Sequence, residues 1–136
     1  MSEKPLRFVT QDDAQVEETP HCTCEWLCRP GIVEADQLQL VRATMPAGKG
    51  HAFHKHPGCE EILYVIEGQA EQWVDTERRM LAPGDVAHIP KNVVHATYNP
   101  SDQPLVFLAM LSPATDQGPE SVDVCNEEPW RSLRQT

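Results

Sequence analysis

The sequence favours an all-β domain, and three observations support that prediction. Twelve prolines and seven glycines divide the 136 residues into short apolar runs, as expected where turns separate strands. Residues 38–45 alternate well enough to form a half-buried strand. No long helical period occurs before the C-terminal tail. The length suits one domain with its own core, and no internal repeat indicates a second.

The chain divides into three predicted regions. Residues 1–20 are polar and acidic and are predicted to form a flexible or edge-strand arm. The main β-domain is assigned to residues 21–113, and residues 114–136 to an acidic tail. Within the domain, a short strand or hairpin is expected from Cys24 to Val33, and residues 38–45 form the first full strand.

The next two strands surround the turns at Pro57-Gly58 and Gly68. We expect Pro57-Gly58 to reset the alternation, so that Glu61 faces the same interior as His54 and His56. The side chains predicted to point inward are Leu63, Val65, Ala70, Gln72 and Val74. Those predicted to point outward are Ile62, Tyr64, Ile66, Gln69, Glu71 and Trp73.

The last strands and the tail complete the predicted order. One strand is expected to carry Val86 and an inward His88, and to continue past Pro90 to His95 and Thr97. The apolar run 105–111 predicts a strand buried on both faces. Residues 126–134 predict a short helix capped by Asn126, with Trp130 and Leu133 folded back on the domain.

Three histidines and one glutamate have the spacing of ligands to a single metal ion: His54, His56, Glu61 and His95. In a strand, His54 and His56 project to the same side. Taken alone, each of these residues is better explained as a structural or exposed side chain than as a metal ligand. Taken together, their spacing favours a metal site. Imidazole and carboxylate together suit one divalent transition metal such as Fe, Mn, Ni or Zn.

The segments around these residues resemble the two motifs of the cupin superfamily. The first is Gly48-x5-His54-x-His56-x4-Glu61-x6-Gly68. The second block runs from Gly84 through Pro90 and His95 to Asn99, with Asn92 where the family has glycine. Asparagine tolerates a left-handed backbone better than other non-glycine residues, so we expect the turn to survive.

The resemblance implies a cupin-type antiparallel jelly-roll barrel of roughly six to eight strands at residues 21–113. It also implies that His54, His56, Glu61 and His95 hold the metal inside the wider mouth. Four protein ligands leave two neighbouring positions for water, dioxygen or a bidentate substrate. A dimer is expected, because cupins commonly pair through barrel faces or exchanged N-terminal strands, and the exposed edges of a jelly roll need to be covered. The outward set around Ile62, Tyr64, Ile66 and Trp73 is one candidate surface, which the arm or the tail could equally cover.

Three further residues are candidates for a catalytic role. Gln72 would orient a ligand or bind the substrate, or else is a buried amide satisfied by the backbone. His88 would serve as general acid or base, or else is a packed neutral histidine. His51 lies where oxalate-decarboxylating cupins carry a pocket arginine, and this shorter, titratable replacement disfavours oxalate chemistry.

Two other cupin chemistries are also disfavoured. Cupins that cleave dimethylsulfoniopropionate place a tyrosine two residues after the ligand glutamate, where this chain has Leu63. Tyr64 points the other way. Thiol dioxygenases generally lack the glutamate, which this chain keeps as Glu61.

Charge and cysteine usage narrow the classes of partner and compartment. The formal net charge of −10 argues against nucleic acid and against anionic membranes as partners. No apolar run spans a bilayer and no secretion signal is evident, so a cytoplasmic location is expected. The odd cysteine count argues against a disulfide framework.

The cysteines offer two alternatives. Cys22, Cys24 and Cys28, with His21, could imitate a zinc knot, but the spacing is not a recognised one and small-hydrophobe packing is favoured. Cys59, in the loop before Glu61, could have a redox role, but a partly buried and inert thiol is favoured.

Two classes of function remain. The first is a small metalloenzyme, a dioxygenase, isomerase or decarboxylase, that acts on an oxygen-rich metabolite which chelates the metal. The second is a module that binds or senses a small sugar or carboxylate without turnover. The absence of a second domain in this sequence favours the enzyme modestly.

Overall fold

A computed structural model describes residues 4–115 and 119–134 and contains eleven strands in that part of the chain. Their bounds in chain order are β1 (Gln15–Glu18), β2 (Thr23–Cys28), β3 (Gln39–Met45), β4 (Gly50–Lys55), β5 (Glu60–Glu67), β6 (Ala70–Val74), β7 (Glu77–Leu81), β8 (Val86–Ile89), β9 (His95–Tyr98), β10 (Leu105–Ser112) and β11 (Val122–Asp123). A 3-10 turn (Gln11–Asp13) precedes β1, and one short helix, α1 (Trp130–Leu133), follows β11. The predicted all-β class is confirmed.

The strands form two antiparallel sheets. The six-stranded sheet has the order β1-β2-β3-β10-β5-β8, and the five-stranded sheet has the order β11-β4-β9-β6-β7. From β4 onward the chain passes repeatedly from one sheet to the other, with β6 and β7 joined as a hairpin. This connectivity produces a jelly-roll barrel whose interior lies between the sheets.

The main core fills the space between the two sheets. Leu63 and Val65 are almost fully buried, which confirms their predicted inward orientation. Ala70 and Val74 of the other sheet contact the same cluster. In β10 the inner residues are buried, but Leu108 and Met110 on the outer face are only half-buried. The prediction that this strand is buried on both faces was therefore wrong beyond its first residues.

A second core lies on the outer face of the five-stranded sheet. Phe53 and Trp73 pack edge to face there with ring centroids 5.4 Å apart. Trp130 and Leu133 of the tail pack against this cluster, as predicted. Trp73 is thus directed away from the barrel interior, yet only 7% of it is exposed.

The C-terminal helix is shorter than predicted. It spans only Trp130–Leu133, and Pro129 occupies the N-cap position in place of Asn126. A residue that precedes proline is disfavoured in the helical region, so the segment before Pro129 does not join the helix.

The strand predicted to run from Val86 to Thr97 is in fact two strands in different sheets. β8 pairs with β5, β9 pairs with β4 and β6, and residues 90–94 turn the chain between them. Asn92 in this turn has φ 65°, so the expected left-handed asparagine is confirmed. Its backbone N–H donates to the His56 carbonyl oxygen at 3.0 Å, an ordinary length for such a bond.

At the N-terminal side, β1 is an edge strand that pairs with β2. Residues 15–18 of the predicted arm therefore belong to the sheet, while residues 1–3 lie outside the described part of the chain. No helix among the described residues has the length and hydropathy needed to cross a bilayer.

Candidate metal centre

Four predicted ligands come together between the two sheets. His54 lies near the end of β4, His56 follows directly after it, and His95 opens β9 in the same sheet. Glu61 reaches in from β5 of the opposite sheet. All four residues are buried. One ligand atom from each of the three histidines lies within 4.8 Å of the others, so these histidines could bind a metal ion.

Backbone carbonyl groups orient the three imidazoles. The Nδ1 atoms of His54, His56 and His95 lie 2.7, 2.9 and 3.1 Å from the carbonyl oxygens of Ala52, Glu120 and Val93, respectively. A carbonyl oxygen only accepts, so each Nδ1 carries the proton. The proton-free Nε2 atoms are then available as ligands, and the carbonyls act as the outer partners usual for metal-binding histidines.

Glu61 completes the cluster with an oxygen that has no hydrogen-bond donor. Its Oε1 lies 3.5 Å from His56 Nε2 and 3.4 Å from His95 Nε2. Oε1 and His95 Nε2 are both buried without a hydrogen-bond partner. In the tautomers above, every one of these atoms is an acceptor, so their proximity is unfavourable unless a cation lies among them. The donor set therefore fits a divalent metal.

Burial favours the neutral form of His54 and His56, which metal ligation needs. Desolvation lowers the pKa of His54, and the neighbouring His51 and His95 add to the effect. Desolvation also lowers the pKa of His56, although Glu61 opposes it. Neutral imidazole binds a metal ion without first losing a proton.

The cluster opens into a cavity of about 140 Å³. Its apolar wall includes Leu63, Phe107 and Leu111, from the six-stranded sheet. The Thr97 hydroxyl group and the thiols of Cys22 and Cys24 add polar groups to the lining. This volume corresponds to about four or five water molecules at roughly 30 Å³ each.

His51 lies on the cavity wall, where the sequence placed it. Its ring stacks on His54 with centroids 3.6 Å apart, and on His21 with centroids 4.1 Å apart. Burial, with a smaller contribution from His21, lowers the pKa of His51 to about 3. The histidine stack supports the ring of one metal-ligand candidate from behind.

Gln72 points inward but does not line this cavity. Its carbonyl oxygen accepts a 2.6 Å hydrogen bond from the Thr97 hydroxyl group, and its amide nitrogen donates to the Trp73 carbonyl at 3.2 Å. Gln72 also borders a separate cleft of about 290 Å³ between β7 and β8. Its contact with the metal cavity therefore passes through Thr97.

The predicted inward orientation of His88 was wrong. In the ladder between β5 and β8, His88 lies opposite Ile62 and shares its outer face. About half of the side chain is exposed, and Nε2 lies 2.6 Å from a Glu60 carboxylate oxygen. Ala87 and Ile89 are the buried residues of β8, so His88 between them points to the outer face. His88 does not reach the metal cavity.

The cysteines divide into two environments. Cys59 is buried in the main core, and burial raises its pKa, as expected of an inert thiol. Cys22 and Cys24 line the metal cavity with sulfur atoms 3.5 Å apart. Among the described residues, the group of three close metal-ligand atoms is the histidine cluster, which does not include Cys22, Cys24 or Cys28.

Sequence reasoning named Cys22, Cys24 and His21 only as parts of a possible zinc knot and did not place them beside the metal cavity. The signal for the cysteines was their two-residue spacing, which places both on one face of a strand. His21 carries no local signal, because it reaches the site by stacking on His51 from a distant turn.

Comparison with known proteins identifies the family. Residues 41–111 match the family model of the cupin domain, more than half of the chain. Protein SchB of Streptomyces halstedii is 31% identical over 121 residues, which are 87% of this chain and 88% of SchB. The uncharacterized protein MJ1618 of Methanocaldococcus jannaschii is 29% identical over 106 residues, 78% of each chain. Quercetin 2,3-dioxygenase of Bacillus subtilis is 35% identical over 68 residues, 48% of this chain but only 20% of the enzyme.

Solved structures agree with this assignment. KdgF from a Halomonas species superimposes with a TM-score of 0.71 at 21% identity, over 81% of this chain and 96% of KdgF, which shows a shared fold. The dimethylsulfoniopropionate lyase DddQ from Ruegeria pomeroyi superimposes with a TM-score of 0.69 at 29% identity, over 84% of this chain and 62% of the lyase.

Proposed function

The chain belongs to the cupin family, and we propose that it is a metal-dependent enzyme that acts on a small, oxygen-rich metabolite. In this proposal His54, His56, Glu61 and His95 hold one divalent transition metal. A dioxygenase, isomerase or decarboxylase reaction fits this arrangement. The alternative is a module that binds a small sugar or carboxylate without turnover.

One observation carries the proposal. Three buried imidazoles, each fixed by a backbone carbonyl, converge with an unpartnered carboxylate oxygen on one cavity. Buried polar atoms without partners are costly, so a site that concentrates them indicates a cation-binding site. A purely structural cluster would place hydrogen-bond donors opposite these acceptors.

The protein groups have separable tasks around the metal. When bound, such an ion supplies Lewis acidity and coordination positions for a chelating ligand. The carbonyl of Glu120 holds His56 from the tail, and the His51 ring holds His54 from the β4 side. Thr97, itself held by Gln72, presents a hydroxyl group to the cavity. We propose that Thr97 orients the bound ligand and that Gln72 positions Thr97.

The cavity favours small ligands with oxygen donors. Its volume of about 140 Å³ suits a ligand of a few carbon atoms. The apolar wall formed by Leu63, Phe107 and Leu111 excludes water from one side of the ligand. Small carboxylates, hydroxy acids and enediols combine the required size with two oxygen atoms that can chelate. These are the substrate classes that we propose.

The similar proteins favour an enzyme without selecting its reaction. The relatives include a quercetin dioxygenase, of which the chain spans only a fifth. DddQ is a lyase, but where a tyrosine is expected in cupins that cleave dimethylsulfoniopropionate, this chain has the buried Leu63. Tyr64 lies on the opposite, outer face. We therefore do not propose lyase chemistry of that kind.

The test compares metal forms of the full chain. Protein loaded with Fe, Mn, Ni or Zn is incubated with a panel of small carboxylates, hydroxy acids and enediols, and binding, oxygen uptake and substrate loss are measured. Turnover that is retained in His88→Ala and lost in Glu61→Ala supports an enzyme. Metal-dependent binding without turnover supports the sensing module. Binding to no member of the panel contradicts both.

We also propose a homodimer through the outer face of the six-stranded sheet. Ile62, Tyr64 and Val86 are exposed there, and Leu108 and Met110 of β10 adjoin them in the ladder. The predicted outward residues do not form one surface, because Trp73 lies on the other sheet, where the tail covers it. An apolar strand face of this kind is typical of an association surface. A monomer in sedimentation, or a dimer that persists in Tyr64→Glu, would contradict this interface.

A further inference from the structure

Two cysteines face each other on the wall of the metal cavity. Cys22 directly precedes β2 and Cys24 lies within it, so their two-residue spacing turns both side chains toward the interior. Their Sγ atoms are 3.5 Å apart and share a hydrogen bond. Neither thiol has a task in the function proposed above.

We propose that Cys22 and Cys24 are a peroxide-reactive dithiol that closes to a disulfide on the wall of the metal cavity. Cys22 is the attacking thiol and Cys24 the resolving thiol. The oxidant is a small hydroperoxide, which the cavity admits more readily than a bulky reagent.

The surroundings of Cys22 favour its thiolate. The hydrogen bond from the Cys24 thiol lowers the pKa of Cys22 to about 7, although burial and the charges of Glu17 and Glu18 oppose this. The Thr19 hydroxyl group lies 3.6 Å from Cys22 Sγ and favours the thiolate as well. The same thiol–thiol bond raises the pKa of Cys24, which stays protonated as the donor. A nucleophilic thiolate beside a protonated partner thiol is typical of redox-active cysteine pairs.

The chemistry balances with the hydroperoxide as the sole oxidant. The Cys22 thiolate attacks the terminal oxygen, the O–O bond breaks, and an alkoxide or hydroxide leaves and takes up a proton. The product is a sulfenic acid on Cys22. Cys24 sulfur then attacks Cys22 sulfur, the S–OH bond breaks, and the hydroxide leaves with the Cys24 proton as water. In total, the two thiols lose two electrons and form the disulfide. An organic hydroperoxide yields one alcohol and one water, and hydrogen peroxide yields two waters.

The backbone permits the bond with a local adjustment. Residues two apart in a strand have Cα atoms about 6.6 Å apart, which lies within the disulfide range of about 4.4–6.8 Å. The sulfur atoms must approach from 3.5 Å. Cys22 precedes the regular strand and follows the turn in which its N–H donates to the Thr19 hydroxyl at 3.0 Å, so the movement falls on that turn.

Closure would change the wall of the metal cavity. It removes both thiol groups as hydrogen-bonding partners, beside a wall that also includes His51 and His54. The reaction needs neither the metal nor turnover, so its test is independent of the proposed function.

The main experiment treats the full chain with one equivalent of hydrogen peroxide, with and without a chelator. Free thiols are counted, and the intact mass and the fragmentation pattern are recorded. Wild type and Cys28→Ser are expected to lose two thiols and two hydrogen atoms of mass, with a Cys22–Cys24 link that dithiothreitol reverses. A link to Cys28, or equal loss of all thiols, would overturn the proposal.

Cys125 is an internal reference that requires no substitution. It is more exposed than Cys22, and its hydrogen bond with Asp123 raises its pKa. A pKa near 7 gives about half thiolate at neutral pH, against about 3% for an ordinary thiol, so on thiolate fraction Cys22 should oxidise about fifteenfold faster than Cys125. A faster reaction at Cys125 would contradict the proposal.

The two single variants separate the roles within the pair. In Cys24→Ser the sulfenic acid has no resolving thiol, so dimedone should label Cys22. In Cys22→Ser neither label nor disulfide should form at one equivalent of peroxide. Label on Cys28 or Cys125 in its place would overturn the assignment.

Discussion

Arg134 fixes the C-terminal tail to the barrel through a buried carboxylate, and its removal is the most informative stability test. The guanidinium group donates from Nε to Glu71 Oε2 at 2.7 Å and from Nη2 to Oε1 at 3.2 Å. Its central carbon also lies 3.8 Å from the centroid of the Tyr98 ring. The Trp73 indole N–H donates to the same carboxylate at 2.8 Å.

The expected cost of Arg134→Ala follows from these contacts. Removing one partner of a buried ion pair costs about 3–5 kcal/mol. The full cost of about 3–5 kcal/mol does not apply here, because about a quarter of the Arg134 side chain is exposed. In addition, Trp73 still donates to Glu71, and Arg78 at 3.9 Å is a weak substitute for the lost charge. Loss of the contact with Tyr98 adds about 0.5–1 kcal/mol. We expect a decrease of about 2–3 kcal/mol in the free energy of unfolding.

The pH dependence of this difference has a definite sign. Burial raises the pKa of Glu71, but the hydrogen bonds from Arg134 and Trp73 outweigh burial and lower the pKa overall. A lowered carboxyl pKa contributes stability that is complete above the unfolded value of about 4.3 and is lost as the pH falls through the folded value. The difference between wild type and Arg134→Ala should therefore be full at pH 7 and shrink in acid.

The assay is urea unfolding followed by tryptophan fluorescence at pH 7 and in acid. Arg79→Ala is the matched control, because the Arg79–Glu77 pair is mostly exposed and should contribute less than about 1 kcal/mol. Arg134→Lys keeps the charge without the two-pronged geometry and should lie between wild type and Arg134→Ala. Equal losses in Arg134→Ala and Arg79→Ala would refute the reasoning.

Three further predictions concern the free energy of unfolding, measured in the same way. Gly68 and Gly84 both have positive φ, but an added Cβ atom at Gly68 would also collide with backbone. Gly68→Ala should therefore reduce the free energy of unfolding by clearly more than the roughly 1 kcal/mol expected for Gly84→Ala, and equal costs would refute this. Asn92 has φ 65°, so Asn92→Ala should destabilise by about 1 kcal/mol more than Asn92→Gly, and the reverse order would contradict the left-handed turn. Thr97→Val removes the donor to the buried Gln72 oxygen and should cost about 1–3 kcal/mol, whereas a neutral effect would show that the bond is dispensable.

The features that could be predicted from the sequence are those that local rules determine. Strand alternation and the break at Pro57-Gly58 correctly placed Glu61 on the same interior as His54 and His56. The tolerance of asparagine for a left-handed backbone correctly anticipated the turn at Asn92. Each of these inferences depends on a few neighbouring residues and on the two-residue period of a strand.

The errors occurred where distant segments decide the outcome. The orientation of His88 was wrong because Ala87 and Ile89 fill the core from β8, and the pairing of β8 with the distant β5 selects that face. Cover for Trp73 comes from Trp130 and Leu133, far along the chain, so the sequence could not distinguish the tail from a partner subunit as its cover. The helix begins after Pro129 because proline disfavours a helical conformation in the residue before it. The prediction gave more weight to Asn126 as a capping residue than to this restriction.

Metal content is the most direct test of the central claim, that His54, His56, Glu61 and His95 together bind one divalent ion. The full chain is purified without an affinity tag, saturated with metal, and analysed for elements after removal of the unbound ion. His88→Ala is the matched control, because this exposed histidine pairs with Glu60 on the outer surface. We predict one ion per chain in wild type and in His88→Ala, and far less in His56→Ala. Equal metal content in wild type and His56→Ala would contradict the account.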